Sequence, residues 1–254
     1  MTEPLLRADG LSRSFGGVQA LSEVSFAVLP GQIRAIIGPN GAGKTTLLDV
    51  LTGFTPADAG QAYLDGQPIL GLPPHRLPGM GLMRTFQTAR LIPTLTVREN
   101  VMLGGHHLTR SRFLAHGLGL PVARREERAL RARADEILRF LELERLAESP
   151  AAALPAGLQR LAEVGRALAA GPRLLLLDEP AAGLNDSETL ELASVLKAVR
   201  GKGVTVVLIE HNVNLVMSVS DAVLVLSAGM VIADALPEQV QRDPVVQAAY
   251  LGDR

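Results

Sequence analysis

Residues 38–46 read Gly-Pro-Asn-Gly-Ala-Gly-Lys-Thr-Thr, and no other stretch restricts the fold of this chain so tightly. Gly38, Gly43, Lys44 and Thr45 stand at the spacing G-x-x-x-x-G-K-[ST] of a phosphate-binding loop. Each residue type has a physical task. Glycines let the backbone curl until successive N–H groups point inward at phosphate oxygens. A helix opening near Lys44 adds the positive end of its dipole. Lys44 reaches the β- and γ-phosphates, and the Thr45 hydroxyl suits Mg²⁺. The flanks agree: Ile33–Ile37 is a short apolar strand, and Leu47, Leu48, Val50 and Leu51 give the following helix a buried face. Gly38, Pro39, Asn40, Gly41, Ala42, Gly43, Lys44, Thr45 and Thr46 are therefore expected to cradle ATP.

A second signal lies downstream, where four leucines run into Asp178-Glu179. Two carboxylates at the end of an apolar strand belong to the ligand crevice of an open parallel sheet. Asp178 suits the Walker B task of holding Mg²⁺, and Glu179 is placed to take a proton from the attacking water. His211 ends the next apolar run, VVLIEH; a neutral imidazole there can hydrogen-bond a γ-phosphate, although a lone histidine at a strand end is more often structural. His75, His106, His107 and His116 show no ligand spacing.

The rest of the 254 residues organises around these motifs. Residues 5–37 alternate strands and turns, with an apolar–polar alternation over Leu21–Leu29 and turns at Pro30-Gly31 and Asp65-Gly66. From about residue 88 to 157 the character turns helical, and Leu130, Ala134, Ile137, Leu138 and Leu141 form one stripe. Val204–Ile209 is a second continuous apolar strand, separated from Leu174–Leu177 by a helix over about 187–200. This is the mark of parallel strands covered on both faces. Residues 223–233 read as a closing hairpin.

Composition removes several classes of function. With 25 basic and 26 acidic residues the formal charge is −1, so nothing calls for a nucleic-acid partner. The charges between Arg124 and Arg145 mix both signs, as an exposed helix face does, and the basic segment from Arg110 to Arg125 reads as a surface loop. Without cysteine there are no disulfides and no thiolate metal sites. No secretory start and no spanning run of about 18 apolar residues is visible, so a soluble protein is expected, acting on any membrane from outside the bilayer.

With these elements in order, essentially the whole chain resembles the ATPase subunits of ABC transporters. The resemblance implies an α/β fold: a P-loop NTPase core of the ABC ATPase type with an inserted helical subdomain and an N-terminal antiparallel β part. It also implies a single domain over 1–254. Residues 1–87 and 158–220 would form the nucleotide-binding core, 88–157 the helical subdomain, and 221–254 the closing hairpin and tail. Phe15 in SRSFGG takes the place of the aromatic that stacks on adenine. Gln87 in MRTFQTARL takes that of the glutamine linking nucleotide to the membrane partner; it joins Thr45 and Asp178 toward Mg²⁺, and Glu179 and His211 toward catalysis. EPAAGLND, from Glu179 to Asp186, corresponds to the D-loop, with Asn185 where many relatives carry aspartate. The segments GLMRTFQTARLIPTLTVRENVMLG, DEPAAGLN and AAYLG are similar to the branched-chain amino acid uptake group. Urea and amide importers carry similar segments, and a non-transport ABC ATPase is the alternative class. The implied partners are a second ABC ATPase, two transmembrane permeases and, indirectly, an extracytoplasmic solute-binding protein. The implied location is peripheral, at the cytoplasmic face of the cell membrane.

The sequence departs from the family at one motif. Where the LSGGQ signature belongs, the chain reads Leu154-Pro155-Ala156-Gly157-Leu158-Gln159. In a dimer this loop serves the phosphate held by the opposite subunit. Pro155 offers neither hydroxyl nor N–H, Ala156 adds a Cβ, and Leu158 removes an amide. The site this loop completes is expected to hydrolyse ATP poorly, which favours a heterodimer over a homodimer.

Overall fold

The computed structural model describes residues 3–87, 90–109 and 121–251. An N-terminal antiparallel sheet has the order β2-β1-β4-β5. Strands β1 (Leu6–Phe15) and β2 (Val18–Val28) form a hairpin about Gly16 and Gly17, both at positive φ, as a tight two-residue turn requires. β4 (Ala59–Leu64) pairs with the other edge of β1, and β5 (Gln67–Pro68) pairs with β4.

The second sheet has the order β10-β9-β3-β8-β7-β6. Its centre is β3 (Ile33–Ile37), β8 (Thr205–Ile209) and β7 (Leu174–Asp178), parallel to one another and buried at every residue. Period-two geometry sends their side chains to two different cores. Leu174, Leu176, Val207 and Ile209 pack toward the N-terminal sheet, while Leu175, Leu177, Val206 and Leu208 pack toward the helices. A leucine or isoleucine buried in this way contributes about 1.5–3 kcal/mol. β9 (Ala222–Ser227) is parallel to β3, and β10 (Met230–Ala235) folds back antiparallel as the expected hairpin.

Helix α1 (Lys44–Leu51) follows the glycine loop. α2 (Val97–Gly104) begins with a capping box in which the Thr96 and Glu99 side chains each accept the other residue's N–H. α3 (Pro121–Phe140) buries Ala134 and Leu138 on the foreseen stripe, and Leu141 completes it just beyond the helix end. α4 (Ala156–Ala169) meets α2 at backbone contact: a Cβ on Gly104 would lie 1.7 Å from the carbonyl oxygen of Arg166. α5 (Asp186–Gly201) connects β7 to β8.

Besides the two-residue β5 and short 3₁₀ turns, four elements have no counterpart in the sequence reading. β6 (Leu82–Arg84) is three residues long and too short for a periodic signal. α6 (Val213–Val219), α7 (Pro237–Arg242) and α8 (Pro244–Leu251) are short helices held by tertiary packing, α6 against α5 and α7, α7 against β9 and β10, and α8 against β10 and α7. Residues 110–120 of the basic segment, His116 among them, lie outside the described residues, and residues 121–125, read as loop, instead open α3. Among the described residues no helix is long and apolar enough to cross a membrane.

Candidate nucleotide site

The carboxyl ends of the adjacent parallel strands β3, β8 and β7 lie on one side of the sheet, and the loop from Gly38 to Gly43 leaves the end of β3 there. Two glycines there are fixed by geometry. Gly38 has φ 152°, and a Cβ on it would stand 2.1 Å from the Leu226 carbonyl oxygen of β9. Gly43 has φ 99° and would bring a Cβ within 2.4 Å of the Ala20 carbonyl on β2. The hairpin of the first sheet thus presses on the loop directly before α1.

A cavity of about 200 Å³ opens here, lined by Ala20, Asn40, Gly41, Ala42, Gly43, Lys44, Thr45, Thr46 and Glu179. The Lys44 ammonium donates to the carbonyls of Gly38 at 2.7 Å and Pro39 at 2.9 Å, so its side chain lies back across the loop. Burial lowers the Lys44 pKa, against the opposing pull of Glu179 and Asp178. Partial desolvation leaves the ammonium's attraction for an anionic oxygen less screened than in water, while the two acids oppose it.

The acidic pair divides. Glu179 faces the cavity; Asp178 is buried behind it, 4% exposed. Glu179 has φ 47°, a left-handed backbone that residues other than glycine adopt at a cost of about 1–3 kcal/mol. Its N–H donates to Ile209 at 2.9 Å, extending the β7–β8 ladder by one bond. Two other residues singled out by sequence converge on its carboxylate. Gln87 Nε2 donates to Glu179 Oε2 at 2.7 Å, and His211 Nδ1 lies 3.7 Å from the same oxygen. Phe15 sits apart from the cavity lining, paired with Val18 at the hairpin tip. Its ring is half exposed, with the Arg13 guanidinium 4.6 Å from its centroid.

Three residues were missed from sequence. Arg84, on β6, donates to Asp178 Oδ2 at 2.9 Å, Asp49 Oδ1 at 2.6 Å and Thr52 Oγ1 at 3.0 Å. Phe54 and Phe86 flank its guanidinium at 5.7 and 5.1 Å. Burial raises the Asp178 pKa, and Arg84 opposes that shift. Glu210 is wholly buried between the Glu179 turn and the His211 loop. Arg160 on α4 donates to the carbonyls of Phe86 and Gln87 and to Glu163, tying that helix to the Gln87 segment. The available signals were a charged residue inside or at the end of an apolar run for Arg84 and Glu210. Nothing local marked Arg160.

At the departed signature, Pro155 is the N-cap of α4 and supplies no side-chain cap. Gly157 packs against α5, where a Cβ would meet Glu188 Oε1 at 2.5 Å. Asn185 caps α5, accepting from the Glu188 N–H at 3.0 Å.

For a divalent cation, Thr45, Asp178 and Gln87 offer only oxygen donors of the hard kind that Mg²⁺ accepts. Among the described residues no three His, Asp or Glu side chains form a metal cage.

A parallel sheet whose strand ends present a glycine loop, a lysine at a helix start and an acidic pair defines a P-loop nucleotide-binding protein. The family model described as "ABC transporter" matches residues 21–182, and that of the "Branched-chain amino acid ATP-binding cassette transporter" matches residues 230–254. The chain belongs to the ABC transporter family, in its branched-chain amino acid ATP-binding group.

It is 42% identical over 254 residues to the high-affinity branched-chain amino acid transport ATP-binding protein BraF of Pseudomonas aeruginosa, covering 100% of both chains. It is 39% identical to LivG of Escherichia coli, again covering 100% of both. Among solved structures, the ADP conformation of an ATP-binding cassette of an ABC transporter superposes with TM-score 0.86 at 34% identity, covering 99% of this chain and 100% of the other. A nucleotide-free cassette gives 0.85 at 32%, covering 98% and 99%.

Proposed function

We propose that this chain is the ATP-binding and ATP-hydrolysing subunit of an importer for branched-chain amino acids. One observation carries the hydrolytic part: Gln87 and His211 both approach the Glu179 carboxylate at the mouth of the phosphate loop. The names of BraF and LivG support the substrate class.

In this reading the loop amides from Asn40 to Thr46 and the Lys44 ammonium bind the triphosphate, and Phe15 stacks on the adenine. Glu179 accepts the proton of the attacking water as general base, worth about 10²–10⁴-fold in rate. His211 hydrogen-bonds the γ-phosphate, and Gln87 orients the water while reporting to the membrane partner. Thr45, Asp178 and Gln87 would hold Mg²⁺, which when bound neutralises charge on the β- and γ-phosphates.

The division into a core of 1–87 and 158–220, a helical part of 88–157 and a tail of 221–254 belongs to the same reading. So do its partners: two permeases, a solute-binding protein acting through them, and a second ATPase that is a different chain. The location is peripheral, on the cytoplasmic face of the membrane. The Pro155–Leu158 departure supports the heterodimer, because a companion with an intact signature would complete the site built on Lys44, Asp178, Glu179 and His211.

Uptake of labelled leucine by cells expressing the complete system tests the assignment. Lys44→Ala is expected to reduce uptake at least about 10-fold, since each lost charge-assisted contact to phosphate costs about 1.5–3 kcal/mol. Leucine uptake that persists in the variant, or urea or an amide carried in its place, contradicts the assignment.

A further inference from the structure

Glu210 is the most deeply buried acid near the site: its relative exposure is 0%, and it follows the last residue of β8 directly. A carboxylate so far from water must be fully hydrogen-bonded or it destabilises the fold. Its two oxygens are shared between two loops. Oε1 accepts the Ala181 N–H at 2.7 Å. Oε2 accepts the N–H groups of His211 at 3.1 Å and Asn212 at 3.2 Å. Ala181 lies two residues beyond Glu179, and His211 carries the imidazole beside it.

We propose that Glu210 is a positioning residue, a buried strap whose carboxylate sets the separation of the Glu179 turn from the His211 loop. The strained Glu179 backbone is thereby pinned on both sides, by its own N–H on Ile209 and by Ala181 on Glu210. A φ of 47° persists only where neighbouring bonds over-determine it. On the other loop Asn212 passes the constraint onward, because its Oδ1 caps α6 by accepting from Leu215 at 3.1 Å. Any displacement of the His211 loop must then move the Glu179 turn or break a buried charge-assisted bond.

The chemistry of the strap requires two acceptors. A glutamine has one carbonyl oxygen, and its NH₂ would face an N–H donor on one loop or the other. Glu210→Gln therefore releases one loop while nearly preserving volume. The inference rests on the reading that Glu179 and His211 act on ATP, and the test separates the two.

Two measurements on the full chain, purified with its membrane subunits, decide it. In Glu210→Gln, hydrogen exchange is expected to speed up in the segment holding Ala181 or in that holding His211 and Asn212, while the P-loop segment stays protected. The kcat for Mg-ATP is expected to fall by about 10- to 100-fold, the scale of a misplacement near 1 Å, with nucleotide Kd within about 3-fold of wild type. Added to His211→Ala, the same substitution is expected to cost less than about 3-fold more, since residues acting as a unit are not additive. Glu210→Asp keeps the charge but loses a methylene, so it reaches one loop only and is expected to reproduce the kcat loss at unchanged Kd. It serves where the glutamine variant does not fold.

Exchange unchanged in both loops, kcat within about 2-fold of wild type, or losses that multiply with His211→Ala would each overturn the strap. A His211→Ala variant with full turnover would instead refute the underlying reading, and the exchange data alone would then decide whether the strap exists.

Discussion

Gly38 shows how narrowly a single residue can be constrained. Its φ of 152° lies outside the comfortable range of L-residues, and a Cβ would stand 2.1 Å from a backbone oxygen. Gly41, three positions on, also has positive φ (78°), but a Cβ there meets nothing within 4 Å. Gly38→Ala must therefore displace either the loop or β9, whereas Gly41→Ala carries only backbone strain of about 1–3 kcal/mol. Calorimetry of ATP binding is expected to show a loss of at least about 10-fold for Gly38→Ala and a distinctly smaller one for Gly41→Ala, a tenfold change being about 1.4 kcal/mol. Equal affinities for the two variants would show that the contact with Leu226 is unimportant. At this scale the place of Lys44 at the helix start was legible from the fixed spacing of its loop, and that of Asp178 and Glu179 from the apolar run they end. Arg84 and Glu210 were not, because their roles depend on which strands become neighbours, and strand order is not written in local pattern.

Among the elements, β6 joins parts of the chain far apart in sequence. Its Arg84 bridges Asp49 on α1 and Asp178 on β7, with side-chain exposures of 6%, 33% and 5%. Removing one partner of a buried ion pair strands the other, and the typical cost is about 3–5 kcal/mol. Asp49 is partly solvated and is screened accordingly, so Arg84→Met is expected near the lower end of that range. Denaturant unfolding measures it; a loss below about 1 kcal/mol would mean that water already satisfies both carboxylates. The long apolar runs of β3, β7 and β8 were plain from sequence, since burial on both faces leaves no polar alternation. The α3 stripe was equally plain. β6 was hidden by its three residues, and α6, α7 and α8 by being too short to show a period.

For the whole molecule, the departures at Pro155, Ala156 and Leu158 turn a local feature into a statement about assembly. The chain's own site keeps Lys44, Glu179 and His211, while α4 begins at a proline that supplies no side-chain cap. Paired with a companion ATPase that bears an intact signature, the chain is expected to turn over at least about 10 times faster than alone, the lost donors being worth about 1.5–3 kcal/mol. A steady-state rate for the lone chain equal to that of the pair would remove the case for a heterodimer.

The most direct test of the whole account is phosphate release by the paired complex carrying Glu179→Gln. The substitution leaves the loop and lysine intact, so ATP should bind as before while release falls by about 10²–10⁴-fold and nucleotide stays trapped as triphosphate. Undiminished release would mean that another group takes the proton from water, and the arrangement of Gln87 and His211 about Glu179 would lose its meaning.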